Sequence, residues 1–597
     1  MRHSTTRQIG LFIALILPVV VWTTAGWGHL AAWSSLAADG RDGSGDPRIV
    51  RIYYDEIEDL AALQSFDVWE YNNLQERYVL AAVGQAGYEA LIEQGWTVAI
   101  DSEQQAITRN LSEGADFFGG YRTIAEIYSE LTTINSAAPN LTEIVTYGRS
   151  YCQTTGGCRT PGDDDLPGYP LLALRITNEG TPGSSIVDGN KITRGTKPIF
   201  FLMANIHARE ITTPDIAMRF ITYLLDGYDV DADATWLVDH REIWVVPTAN
   251  PDGYRLVELG LKENYGGSPF YKRKNANNDA DRDGQMDCQV WPPLSYQQFG
   301  IDLNRNHSFG WGPPGSSNQP CDMTYRGPSK ASETEVHALE ELVRTLIPDQ
   351  RAAELTAPAP QDTMGILITL HSFSNLVLWP WGNTGMPAPN RDDLRAIGDK
   401  FASYNNYLSC QPTHCLYATN GSTDDWAYGE LGIPAFTFEI GKQFMPPYAE
   451  IDAVQWPENR PALIYATKIA QTPYMTTHGP DALDLIIVEG AQPPILHAII
   501  DDRFNGSETI SAAVYSIDIP PETNEAVLHP LVATDGVFDS TSEAVSANVD
   551  LSGIAPGRHI LFVRGQDAGG NWGAISAIFI DVTAVTDVTL FPIIVSP

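Results

Sequence analysis

The chain has 597 residues, 43% of them hydrophobic and 10% aromatic, which excludes a disordered protein and a single ordinary core and points to several structural units. Its 37 basic residues stand against 74 acidic ones, a formal charge of -37. Such a charge repels phosphate backbones and anionic lipid surfaces, so nucleic acid is excluded as a partner, while solubility or adaptation to salt accounts for the charge itself.

Residues 1–37 read as a signal peptide. Arg2 and Arg7 precede the apolar stretch 9–22, and the small residues around Ser35-Leu36-Ala37-Ala38 suit a cut after Ala37. That stretch is short for a membrane span and no later run is long enough for one, so a secreted, extracellular product is expected, a monomer with no membrane span. A Gly/Asp-rich spacer at 39–46 leads into a module at about 48–100, where strand-like pieces (49–54, 77–83 and 96–100) alternate with a helical stretch at 86–93. This predicts a small α+β unit. The polar stretch 101–116, with Arg109 in it, has the composition of an exposed, cleavable linker, and module and linker together span 38–112.

From Tyr121 onward helices alternate with β-branched runs: a helix at 124–134, strands at 171–176 and 198–206, a helix at 215–225, a strand at 242–247, a helix at 332–346, and strands at 365–370 and 435–439. The alternation predicts an α/β sheet with helices on both faces and an active site at the carboxyl ends of its strands. All six cysteines fall in this region, and an even number in an exported chain points to disulfides. Sequence proximity favours Cys152 with Cys158, Cys288 with Cys321, and Cys410 with Cys415. A structural zinc site is the other use of cysteine, but no CxxC pair is present. Beyond about Tyr474, short apolar strands (485–488, 495–500, 510–517, 547–551, 559–564 and 574–582) separated by turn residues predict an all-β sandwich of the immunoglobulin or fibronectin type over 480–585, with no catalytic constellation. The apolar tail at 586–597 is compatible with a processing or surface-sorting signal.

The clue to chemistry is His207-Ala208-Arg209-Glu210, directly after the run 198–206. An imidazole and a carboxylate three residues apart, at the end of a buried strand, can reach one metal ion. An HxxE tetrad alone is weak, since most are a surface His and a solvated Glu. A second histidine, His371, follows the buried run 365–370. His207, Glu210 and His371 give three ligands and leave a place for water, as catalytic zinc sites do, whereas structural zinc takes four protein ligands.

At this point the pattern resembles the zinc carboxypeptidases of the carboxypeptidase A, B and T family, over about residues 121–474 and with the motifs in that family's order. The resemblance implies a catalytic domain at 113–475 built on a mixed eight-stranded twisted sheet flanked by helices, with one Zn2+. The segment Gly300-Ile301-Asp302-Leu303-Asn304-Arg305-Asn306 resembles the stretch whose Asn-Arg pair holds the terminal carboxylate of the substrate, a task that suits a planar guanidinium. By the same likeness Asp302 orients His207 through a hydrogen bond. Arg273, with Lys274, resembles the family's oxyanion-stabilising Arg-Lys step, and Arg209 matches an arginine that lines an outer subsite. Tyr417-Ala-Thr-Asn-Gly-Ser-Thr-Asp424-Asp425-Trp426 aligns without gaps to the flap carrying the substrate-capping Tyr, and Ala435-Phe-Thr-Phe-Glu439 to the strand that ends in the catalytic Glu. The resemblance therefore implies a secreted metallocarboxypeptidase acting on peptides and proteins with a free C-terminal carboxylate.

Asp424 falls where enzymes resembling carboxypeptidase B carry an acid and those resembling carboxypeptidase A an apolar residue, which favours release of Lys or Arg, or a mixed basic and hydrophobic preference. Phe373, two after His371, replaces the Tyr of the animal digestive enzymes, so a hydroxyl contact to an outer substrate residue is not expected. An insertion between Arg273 and Asp302 contains Asp279-Ala-Asp281-Arg-Asp283-Gly284-Gln-Met-Asp287, with oxygens at alternate positions before a Gly as in calcium loops, although Val290 stands where such a loop ends in Glu. It reads equally as a Ca2+ site or as an acidic surface loop tied by Cys288. The module at 48–100 resembles the family's propeptides, which implies a zymogen activated by a cut near Arg109. Two other readings stay open: a peptidoglycan peptidase or remover of side-chain-linked glutamate on the same fold, and an inactive peptidase-like binding protein whose sandwich does the work.

Overall fold

The computed structural model of the protein describes residues 47–109, 119–189, 191–488 and 493–583. The expected signal peptide, the C-terminal tail, the second half of the expected linker and the side chain of Arg109 lie outside the described residues.

At the centre stands an eight-stranded sheet in the order Leu408–Cys410, Leu376–Leu378, Ala435–Glu439, Ile366–His371, Ile199–Ala204, Glu242–Val246, Pro170–Ile176, Thr142–Arg149. Its middle is parallel and its outer pairings are mixed. The four central strands are buried at every residue, as their near-continuous apolar runs require of a sheet covered on both faces. Along Ile199–Ala204 the side chains alternate. Phe200, Leu202 and Ala204 share a core with Ile216, Phe220 and Leu224 of the helix Thr212–Gly227, while Phe201 and Met203 pack with Val336, Leu339 and Val343 of Thr334–Leu346 on the opposite face. Truncating Leu202 to Ala at such a site costs ~2–5 kcal/mol. Each of the three expected disulfides forms: Cys152–Cys158, Cys288–Cys321 and Cys410–Cys415.

Ahead of this sheet the chain builds a four-stranded antiparallel one, in the order Asp67–Asn73, Tyr78–Val83, Arg48–Tyr53, Thr97–Ile100. Val50, Ile52, Val79, Ala81 and Leu91 form its own core on one face. On the other face Ile49, Trp69, Tyr78, Leu80 and Ala82 belong to the core of the large sheet, so docking hides the face that the module's own core leaves open. The first half of the expected linker is a helix, Ser102–Arg109, because Asp101 caps it by accepting the Gln104 N–H at 2.9 Å and is itself held by Arg51 at 2.7 Å.

Residues 481–582 form seven antiparallel strands: Asp481–Val488, Ile495–Asp501, Ser542–Asn548, His529–Ala533, Ile510–Ile517, Gly557–Asp567 and Ser576–Val582, in that spatial order. His529–Ala533 pairs with strands of both halves and so closes the sandwich around Leu496, Ile500, Tyr515, Leu561 and Val563. This strand escapes a reading by pattern because it holds Pro530 and is half exposed, and Ser542–Asn548 begins five residues before the expected run. The sandwich is anchored to the unit built on the eight-stranded sheet. Trp236 and Leu237 pack with Phe562 and Ile575, Arg241 holds Glu522 through two hydrogen bonds of 2.6 and 3.1 Å, and Lys468 bridges Asp233 and Ser576. Among the described residues no helix is long and apolar enough to cross a membrane.

Candidate active site

Three neighbouring strands end at one place. In register, Ala204 lies opposite Leu370, and His371 lies opposite Glu439 on the next strand. His207 follows three residues beyond its strand end, and Glu210 closes the turn into the helix Thr212–Gly227. Ligand atoms of His207, Glu210 and His371 lie within 4.8 Å of one another, all three residues buried. His207 Nδ1 is 2.7 Å from Glu210 Oε1, and His371 Nδ1 is 3.3 Å from Glu210 Oε2, close but not aligned as a hydrogen bond. Glu210 Oε2 and both ring nitrogens of His371 are buried with no hydrogen-bond partner, a costly state that an ion between them resolves. Two imidazoles and a carboxylate are a donor set that fits zinc.

Around this corner charge is balanced in pairs. His207 Nε2 lies 3.2 Å from Asp302 Oδ1, and Asp302 Oδ2 accepts the Arg273 Nε–H at 3.0 Å. Burial disfavours the Asp302 carboxylate, but Arg273, Arg305 and His207 outweigh it and hold its carboxyl well below the usual range. Burial likewise opposes ionised Glu210, and the two imidazoles reverse this to hold it at about 2. Glu439 is opposite in sign. Burial first, then the charges of Glu70 and Glu210, push its carboxyl well above the usual range, and its Oε2 is buried without a partner.

Glu439, His207, His371, Asn304, Arg305, Tyr417 and Asp424 line one cavity of about 30 Å³. The Asn304 side-chain oxygen accepts from the Thr423 backbone at 2.9 Å, and Arg305 donates to Gly315 O at 2.8 Å and to Asn304 O at 2.9 Å, so both are fixed before any ligand arrives. Gly315 (φ +72°) permits this, because a Cβ there would stand 1.9 Å from the Ala418 carbonyl oxygen. Asp424 is 3% exposed. Its oxygens accept from the Asp425 N–H at 2.9 Å and the Thr437 hydroxyl at 3.3 Å, and among the described residues no cation pairs with it.

The cleft is closed by residues the sequence reading did not single out. Arg273 Nη1 donates to Glu70 at 2.6 Å, and Arg209 grips Asp67 through two bonds of 3.0 and 3.2 Å. The Tyr417 hydroxyl lies 3.4 Å from both Val68 O and Glu70. Burial, followed by the Glu70 charge, pushes the Tyr417 hydroxyl far above its usual range. Trp69 stands edge-on to Phe373 and Phe444, and the Arg209 guanidinium lies 4.0 Å over the Phe444 ring. Asp67 and Glu70 are three apart, which on a regular strand puts them on opposite faces. A register shift between Val68 and Asn72 lets both enter the cleft, so alternation could not have revealed them.

Away from the cleft, Asp279, Asp281 and Asp283 gather in the acidic insertion. Asp287 is not in that group and accepts the Ala280 N–H at 2.7 Å. The other carboxylates cap the loop's own amides, Asp279 to Gly284, Asp281 to Asp283 and Asp283 to Gln285.

The family model described as zinc carboxypeptidase matches residues 127–461. Zinc carboxypeptidase A 1 of Anopheles gambiae is 27% identical over 358 residues, which cover 59% of this chain and 66% of that relative, just under two thirds of its length. Carboxypeptidase A1 of Homo sapiens is 24% identical over 410 residues, 64% of this chain and 81% of the relative. The crystal structure of carboxypeptidase A from Helicoverpa armigera shares the fold at TM-score 0.52 and 19% identity, covering 72% of this chain and 98% of that one. With more than half of its length matched by the family model, and with a two-histidine, one-carboxylate corner at its strand ends, the chain belongs to the zinc carboxypeptidase family.

Proposed function

We propose that the chain removes single residues from the carboxyl ends of peptides and proteins, preferring Lys and Arg, and that residues 48–100 are its inhibitory prosegment. One observation carries the reading of the reaction: Glu439, Arg305, Tyr417 and Asp424 line the same cavity beside His207 and His371.

His207, Glu210 and His371 would hold a zinc ion, which when bound would supply polarisation of a carbonyl and a water of lowered pKa. Glu439 takes the proton of the attacking water and returns it to the leaving amine. Arg273, freed from Glu70, donates to the oxygen that gains charge, and Asp302 keeps its guanidinium and the His207 ring oriented. Asn304 and Arg305 meet the free carboxylate of the departing residue and Tyr417 covers it, which supports removal from the chain end over internal cleavage. Asp424 lies within that cavity as a buried carboxylate with no cationic partner among the described residues, and a Lys or Arg side chain supplies one. Arg209 then lines the path of outer substrate residues.

The module's contacts support its reading as a prosegment, since Asp67 and Glu70 occupy the two arginines assigned to substrate. A cut near Arg109 releases it. The three disulfides support an oxidising, extracellular setting.

The test is a panel of blocked dipeptides ending in Arg, Lys, Phe or Leu, given to the zinc-loaded chain cut between residues 100 and 119. Arg and Lys are released fastest if the reading holds. Equal rates on Phe and Arg remove the basic preference, and failure on all four removes the reaction.

A further inference from the structure

The sandwich carries a second group of metal-ligating side chains, remote in sequence from the catalytic corner. Asp502, Glu508 and Asp567 bring one carboxylate oxygen each within 4.8 Å of one another. Asp502 is 0% exposed and Asp567 1%. Each buried carboxylate has a structural duty: Asp502 Oδ2 accepts the Glu508 N–H at 2.6 Å, and the Asp567 oxygens accept the Asn571 backbone and side-chain N–H groups at 2.7 and 2.8 Å. The other oxygen of Asp502, Oδ1, is buried with no partner at all. This separates the group from the acidic insertion at 279–287, where Asp281 and Asp283 are exposed and Asp279 is only partly buried.

Nearby cations are already engaged. Lys400 holds Asp481, Arg503 holds Asp501, and His478 pairs with Asp393 at 3.0 Å. Among the described residues no side-chain cation pairs with Asp502, Glu508 or Asp567. Three carboxylates this close repel one another unless a positive charge stands between them.

We propose that Asp502, Glu508 and Asp567 form a calcium site that pins the sandwich to the catalytic unit. All-oxygen donors with two of three residues buried suit a hard cation that accepts flexible geometry, and an affinity on the order of 10⁻⁴ to 10⁻³ M is typical of extracellular modules. The site's place gives it a mechanical role. Asn505, in the loop between Asp502 and Glu508, accepts from Lys400 Nζ of the helix Arg391–Asn405 at 2.9 Å and donates to Gly479 O of the connecting segment at 2.9 Å. An ion joining this loop to the Asp567–Asn571 turn therefore stiffens the junction between the two units.

The test follows hydrogen exchange of the whole zinc-loaded chain at pH 8 while CaCl2 is added. Calcium is expected to slow exchange at 501–509 and 567–573, saturably, and to raise the unfolding midpoint of the sandwich by several degrees. Glu508→Gln, an exposed position whose change leaves folding intact, is expected to weaken the calcium effect ~10-fold, and Asp502→Asn to abolish it. Asp281→Asn with Asp283→Asn, in the other acidic loop, leaves the effect unchanged. The site is overturned if calcium changes nothing, if the effect survives Glu508→Gln undiminished, or if MgCl2 of matched ionic strength protects equally. Should Asp502→Asn not fold, Glu508→Gln decides alone.

Discussion

The cleft has two sides made by unlike means. One side is the carboxyl ends of three buried strands, where His207, His371 and Glu439 are fixed by the register of a parallel sheet. The other is the strand Asp67–Asn73, irregular in register, whose acids meet the arginines of the first side in buried ion pairs. The strand ends hold a site in place whether or not anything is bound. The opposing strand offers only complementarity, and its acids would meet water once it leaves. Each Arg also retains a partner on its own side, since Arg273 stays bonded to Asp302 and Arg209 lies over Phe444. Both arginines are therefore held in place from their own side, independently of Asp67 and Glu70.

Changes on the two sides should thus have opposite effects. The largest belongs to the strand ends. In the chain cut between residues 100 and 119, Glu439→Gln is expected to keep its zinc, measured by metal analysis, and to lose ~10²–10⁴-fold in kcat, the usual contribution of a positioned acid–base group. Substantial residual turnover would refute the role of Glu439. On the opposing side, Asp67→Asn with Glu70→Gln should leave the cut enzyme's own rate untouched and weaken its inhibition by the separate module. Loss of a buried charge partner costs ~2–5 kcal/mol, so the inhibition constant should rise by at least ~10²-fold. An unchanged constant would mean that the apolar contacts of Trp69, Tyr78 and Leu80 hold the module and that the ion pairs are incidental.

How much of this was legible follows the same division. Three of the four central strands announce themselves as apolar runs that lead to His207, His371 or Glu439. The segments Leu376–Leu378 and Leu408–Cys410 are three residues each, too short to show a period, and Thr142–Arg149 is a half-exposed edge with no clean alternation. Asp67-Val-Trp-Glu-Tyr shows no strand signal, because two acids and a bulge break the alternation that would mark it. Helix Ser102–Arg109 was hidden in a polar stretch because its cap, Asp101, is held by Arg51 fifty residues earlier. In each case the missing information was tertiary.

Asp424 sharpens the comparison, because it lies in the cleft yet receives no cation from the opposing strand. Asp67 and Glu70 answer the arginines, and the module's Arg51 is turned to Asp101 instead. Inhibition and specificity should therefore separate. Asp424→Ala is expected to cut kcat/KM for peptides ending in Arg or Lys by ~10²-fold, the worth of a few kcal/mol of buried charge pairing, while leaving release of Phe within about threefold. The same variant should bind the separate module as the parent enzyme does. A parallel loss of module affinity would show that the module reaches Asp424 after all. An unchanged preference for Arg would place the recognition of basic residues elsewhere in the cavity and leave Asp424 to hold Asp425 and Thr437 in position.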